Sequence, residues 1–308
     1  MRNINDQQTS LVSNEMLNVV SQNFELAPDP DEVLTYHDVN HTQRVCAVSN
    51  IMIRNLDTNF ELTRTDKNII YIAASGHDTV MVEHPSVFIN ADHPEFIKKR
   101  VRNMSGCAEQ ASADLLEQEC LKVDICHDNI DLIKFATYST VVDFVNGRLV
   151  QPNLLNGGNK LINFIVAKSD IFNLPLQSVS DKEDTIISLW LEQYPDAVKA
   201  LINNKLVINE DHYNWIADNL GYFLSPLQVQ FAESQRNSLF SDAENCQLSV
   251  GAMHALSRLF SGRIHKNHIA DIDRIANKVL QTPESITKAL HKAVRSIIQS
   301  RSCLLKSV

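Results

Sequence analysis

Glycine is scarce in this chain, with 8 among 308 residues. Folds made of many tight turns need residues that tolerate positive φ, so the scarcity argues against a turn-rich β architecture and for helices joined by short polar connections. No apolar run approaches the roughly 20 residues needed to span a bilayer. The first residues, MRNINDQQTS, lack the apolar centre of a secretory signal. The expectation is a soluble, cytoplasmic protein with no membrane partner, export by a signal-independent route being left open. The six cysteines, at 46, 107, 120, 126, 246 and 303, include no C-x-x-C pair. They read as free, mostly buried thiols of a reducing compartment. Positive charge is also short: 28 Lys and Arg stand against 37 Asp and Glu, a formal net charge of −9. That balance gives no footprint for a nucleic-acid polymer. It does not exclude a small phosphate-bearing molecule, because a bound cation reverses the local field.

What is present is ordinary globular material, 44% hydrophobic and 21% charged, enough for one large domain or two tightly packed lobes. Residues 1–30 read as a polar N-terminal extension, 31–176 as a site-bearing helical core, and 177–308 as a C-terminal helical lobe packed on it. Thr35-Tyr36-His37-Asp38 has the form of a helix start. Val45, Val48, Met52 and Leu56 follow at spacings of three and four, marking one buried stripe. A second helix opens at Thr65-Asp66; its centre, Ile69 to Ala74, is apolar all round and predicts deep burial, ending at Gly76-His77-Asp78. Residues 80–94, with two His-Pro pairs, read as a loop. Helices are expected over 107–117, 131–144, 160–172, 182–193, 195–203, 210–223, 225–237 and 247–260. A last one is capped by Thr282, with Pro283 at its first position and a stripe of Ile286, Ala289, Leu290, Ala293 and Ile297. No convincing alternating strand is visible. The fold class expected is all-α, a multi-helix bundle.

The chemistry-bearing residues begin with His37 and His41, four apart and so expected on one face of a helix start. Thirty-six residues beyond His41, the buried helix ends in His77 and Asp78. Adjacent side chains on a helix diverge by about 100°, so the pair can address one ion only where the helix terminates. Two carboxylates in apolar surroundings, Asp143 and Asp170, are each costly to bury unless paired or metal-bound; the residues alone leave the choice between them open. Two imidazoles and two carboxylates suit a borderline or hard divalent metal such as Zn, Mn, Fe or Mg, as one or two ions, and not a thiolate site. Trp190, Trp215 and the histidines at 93, 127, 212, 254, 265 and 268 read as surface or core residues.

The order H…HD…D resembles the HD superfamily of metal phosphohydrolases, and most closely its cyclic-nucleotide phosphodiesterase catalytic domains. The resemblance covers roughly residues 30–235. Tyr36-His37-x-x-x-His41 is similar to the family's YHxxxH segment, and Ala73-Ala74-Ser75-Gly76-His77-Asp78 to its helix ending in HD. Val166 to Pro175 is similar to the segment A-D-[LI]-x-N-P, and Gln228-Val229-Gln230-Phe231 to Q-V-x-F. The resemblance implies His41, His77, Asp78 and Asp170 as metal ligands, which decides between the two carboxylates. It further implies His37 as the acid that protonates the leaving oxygen, Glu109 as the support of a water, and Gln228 and Phe231 as the clamp on a nucleotide base. The family's x-x-H-P-G after HD is replaced by five residues, Thr79 to Glu83, before His84-Pro85, and by Ser86 for the glycine; His84 is the candidate for the water-activating third histidine. The implied activity is metal-dependent hydrolysis of a cyclic nucleotide or other nucleotide phosphodiester. An HD-type phosphomonoesterase or nucleotidase, and a degenerate scaffold for ligand or protein binding, remain the alternatives.

Overall fold

The computed structural model of the chain describes residues 3–27, 33–57, 62–81, 87–88, 98–99, 106–145, 148–295 and 297–299. The architecture is an all-α multi-helix bundle. In chain order the helices are α1 (Asp6–Val20), α2 (Val39–Leu56), α3 (Arg64–Gly76), α4 (Cys107–Lys122), α5 (His127–Tyr138), α6 (Lys160–Ile171) and α7 (Val179–Leu191). They continue as α8 (Pro195–Ile202), α9 (Glu210–Tyr222), α10 (Gln228–Asn245), α11 (Val250–Leu259), α12 (Gly262–Val279) and α13 (Pro283–Ala293). Two short antiparallel ladders accompany them: β1 (Val87–Phe88) with β2 (Lys98–Lys99), and β3 (Asp143–Val145) with β4 (Arg148–Val150). No helix among the described residues is long and apolar enough to cross a membrane.

The start of α2 departs from expectation. Thr35 does not cap it; its hydroxyl donates to the Ser188 carbonyl at 2.6 Å. The cap is Asp38, whose carboxylate accepts the His41 N–H at 2.7 Å. Helix α2 then buries Val45, Val48, Met52 and Leu56 as its spacing requires. Helix α3 starts at a reciprocal box between Thr63 and Asp66, which satisfies two orphan donors. Ile69, Ile70, Ile72, Ala73 and Ala74 behind it are fully buried, each large aliphatic contributing about 1.5–3 kcal/mol.

Three further elements differ from the sequence reading. The N-terminal extension contains α1, which buries Val12, Met16 and Val20 and packs on α3. Its inward face includes Thr9 and Ser13, small polar residues that dilute the apolar stripe. The helix expected over 131–144 stops at Tyr138. The β-branched run Thr140-Val141-Val142 disfavours continuation, and Asp143 pairs with Val150 in the β3–β4 ladder. Helix α12, unassigned from the sequence, is capped by Ser261 and buries His268, Ile272, Ile275, Ala276 and Val279.

Two apolar clusters hold the bundle. One gathers residues of α1 to α6 with the end of α10 and with α11, which packs on α2. The other gathers α7, α8 and α9 with α12 and α13. The first contains the mutual packing of α2, α3 and α6, which positions the candidate site.

Candidate metal centre and its pocket

His41 stands in the first turn of α2, His77 caps the C-terminus of α3, Asp78 follows it, and Asp170 is the penultimate residue of α6. Because these three helices pack on one another, side chains from distant stretches share one location. Gly76 allows the end of α3 to close on α4: a Cβ there would lie 2.5 Å from the side chain of Leu116.

One ligand atom from each of His41, His77, Asp78 and Asp170 lies within 4.8 Å of all the others. The Nε2 of His41 is 3.2 Å from Asp78 Oδ2 and 3.4 Å from Asp170 Oδ1. The Nε2 of His77 is 2.9 Å and 3.5 Å from the same two atoms. Both rings are fully buried, yet neither Nε2 has the alignment of a hydrogen bond. These donors face a common point rather than one another. The Nδ1 of His77 lies 3.0 Å from the Ala74 carbonyl; a carbonyl only accepts, so Nδ1 carries a proton and Nε2 is the nitrogen left to face a cation. Two imidazole nitrogens and two carboxylates suit a borderline or hard divalent ion. The four residues could hold a metal ion.

The electrostatics agree with that geometry. Burial opposes charge on all four groups, but their mutual attraction outweighs it. The Asp170 carboxyl is brought to about 2, against burial, by its contacts with His41 and His77. Asp78 is held well below the carboxylate range, again against burial, by the charges of His77 and His37. His41 and His77 are raised despite burial because the two carboxylates face them. Protons on the imidazoles thus compete for the place a cation would take.

Beside the cluster lies a cavity of about 370 Å³ whose lining includes His37, Asp78, Asp170, Glu109, Gln228 and Phe231. Ile171, Leu174, Ile186 and Leu189 supply apolar wall. The structure therefore brings every described member of the expected site to one place, although Glu109 is not among the four converging ligands. His37 is corrected in one respect: it precedes α2 instead of lying on it, and its ring still sits 5.4 Å from that of His41. Asp143, the other carboxylate considered, is exposed on β3. His84, His93 and Cys303 lie outside the described residues, as does most of the loop expected over 80–94.

The sequence reading missed Glu192, which follows α7. Its Oε1 is 2.6 Å from His37 Nδ1, and its Oε2 accepts the backbone N–H groups of Tyr36 and His37 at 2.9 and 3.0 Å. The contact orients His37 so that Nε2 faces Asp78, 3.8 Å away. No spacing signals a pair 155 residues apart; the only trace is an acid at the end of the buried Trp190-Leu191 run. Asn173 also belongs here: it lines the cavity and its amide donates to the Asp170 carbonyl.

Comparison with family models, with curated proteins and with solved structures finds no match. Fold and site define the class by themselves: an all-α bundle with a largely buried two-imidazole, two-carboxylate cluster, able to hold a metal ion, beside a pocket of small-molecule size.

Proposed function

We propose that this protein is a metal-dependent phosphohydrolase of the HD type that hydrolyses a cyclic nucleotide or other nucleotide phosphodiester. The observation that carries the reading is the convergence of His41, His77, Asp78 and Asp170 beside a cavity lined by Asp78 and Asp170 together with His37, Glu109, Gln228 and Phe231. Residues assigned to one reaction from separate stretches of sequence meet at one cavity.

In this reading the four ligands hold a divalent ion, Zn, Mn, Fe or Mg. When bound, it supplies positive charge against a phosphoryl group and makes water nucleophilic near neutral pH. The protein's own residues do the rest. His37, fixed through Nδ1 by Glu192, carries a proton on Nε2 for the leaving alkoxide. Glu109, on the first turn of α4 and at the cavity wall, supports the attacking water. The Phe231 ring stacks on the base, and the Gln228 amide, which pairs with a base edge in either orientation, reads it. The apolar wall excludes bulk water from the base.

The test is hydrolysis by the full chain supplemented with Mn, Mg, Zn or Fe, comparing cyclic nucleotides and linear diesters with monoesters. Diester cleavage that disappears in Asp170→Ala is expected. Faster monoester cleavage would overturn the substrate assignment, and no cleavage with any loaded metal would overturn the enzyme assignment.

A further inference from the structure

Helix α12 carries a buried histidine that the metal centre does not use. His268 is 2% exposed, and its Nδ1 has no hydrogen-bond partner among the described residues. The ring lies against a cavity of about 20 Å³, room for one water. Phe172, Pro175 and Phe260 give that cavity apolar wall, and Gln235, Arg236 and His265 are its polar neighbours. One turn beyond His268 on the same face, Asp271 reaches across to α7 and accepts from the buried Lys182 ammonium at 2.7 Å. The other Asp271 oxygen has the exposed Arg274 guanidinium 3.7 Å away. The charged and titratable groups around the ring are thus Lys182 from α7, Arg236 from α10, and His265 and Asp271 from α12 itself, with Glu233 of α10 acting on His265. Burial first, then Lys182 and His265, push the His268 imidazole down to about 4, and Asp271 offsets them only in part. A neutral ring makes no claim on Asp271, which is left to hold Lys182.

We propose that His268, Asp271 and Lys182 form an acid-operated latch between α7 and α12. With the ring neutral, Asp271 clamps the two helices through Lys182. A proton on His268 sets a second cation against Lys182 and offers Asp271 a partner on its own helix, so the clamp weakens and α12 loosens from α7. Because the ring takes up a proton more readily once α12 is released, the docked arrangement loses stability as pH falls from about 6.5 toward 4. A further ion pair, Lys278 with Glu183 at 2.6 Å, joins the same helices farther along α12, so the loosening is local. It reaches the metal pocket nonetheless: α7 carries Thr185, Ile186 and Leu189 of the pocket wall and leads into Glu192, which holds His37. The latch does not depend on the proposed hydrolysis.

The test is hydrogen exchange and histidine NMR on the full, metal-free chain at pH 7 and pH 5, with the titration of the metal cluster followed separately in α3. Protection of the α12 amides, corrected for intrinsic exchange, is expected to fall about tenfold or more between the two, and by less than about twofold in His268→Leu, which takes up no proton. The His268 ring should titrate well below 6.5 in the parent protein and move up toward 6.5 in Lys182→Met, a measurement that stands even if His268→Leu fails to fold. Equal α12 protection at both pH values in the parent, an equal fall in His268→Leu, or a parent His268 that titrates at 6.5 would overturn the proposal.

Discussion

Glu192 and His37 lie 155 residues apart in the chain and meet in a 2.6 Å contact between Oε1 and Nδ1. The carboxylate also holds two backbone N–H groups of the same segment, so it fixes both the ring and the strand of chain that carries it. Replacing it by the isosteric amide puts an NH2 where one of three donors expects an acceptor. Glu192→Gln is therefore expected to lower kcat about 10–100-fold while leaving the metal content at the parent level. Equal turnover and an unchanged pH profile would show that the contact is only structural.

Ionisation of the cluster sets a pH dependence whose sign follows from the shifts. His41 and His77 are raised above 6.5 in the folded, metal-free protein. Their contribution to stability is complete below the unfolded value and is lost as pH rises through the folded one. Asp78 and Asp170 are lowered, so theirs is present above the unfolded value of 3.8 and lost as pH falls through the folded one, about 2 for Asp170. The cluster thus favours the metal-free fold most between these ranges. Binding a cation displaces the imidazole protons. Thermal melts with and without Zn or Mn should show a larger metal-induced rise in Tm at pH 8 than at pH 6, and a shift that shrinks with pH contradicts the assignment.

How much of this was legible in the sequence depended on how local the determinants are. The stripe of α2, the apolar centre of α3 and the Thr282 cap of α13 are set by spacing within a few residues, and the structure has them. His41, His77 and Asp78 were legible because they sit at helix termini beside apolar runs; Asp170 shared its signal, a carboxylate in an apolar run, with Asp143, and only the family resemblance separated the two. Helix α1 was obscured by Thr9 and Ser13 on its inward face, and the end of α5 by an apolar run whose β-branched residues turn it toward a strand. The Glu192–His37 contact joins segments 155 residues apart in the chain, which no local pattern reports.

Close approach at Gly76 makes a third expectation. The added Cβ of Gly76→Ala meets the fully buried Leu116 side chain at 2.5 Å, and a packed core yields little. Overpacking of this kind costs about 1–3 kcal/mol, and it falls one residue before His77. Denaturant unfolding should show the loss, together with weaker metal binding. Gly221→Ala, where the nearest side-chain atom, on Leu280, is 3.2 Å away, should be the milder change. Equal behaviour of the two would contradict the role given to Gly76.

The base clamp is tested by Gln228→Ala and Phe231→Ala. Both residues line the cavity but neither belongs to the metal cluster. Loss of stacking on a base costs about 1–3 kcal/mol, so Phe231→Ala should raise KM for a nucleotide roughly 10–100-fold, with little change in metal content. Gln228→Ala should raise KM and reduce discrimination between bases. An unchanged KM in both variants would remove the nucleotide from the reading.

The central claim is that His41, His77, Asp78 and Asp170 share one cation. X-ray absorption on the full chain loaded with Zn or Mn, with metal analysis after gel filtration, addresses it directly. The expected result is at least one tightly held ion whose ligands include two imidazole nitrogens and carboxylate oxygens, lost in His77→Ala and in Asp170→Ala while both variants remain folded by circular dichroism. A folded parent protein that retains no ion, or one whose ion persists unchanged in both variants, would contradict it.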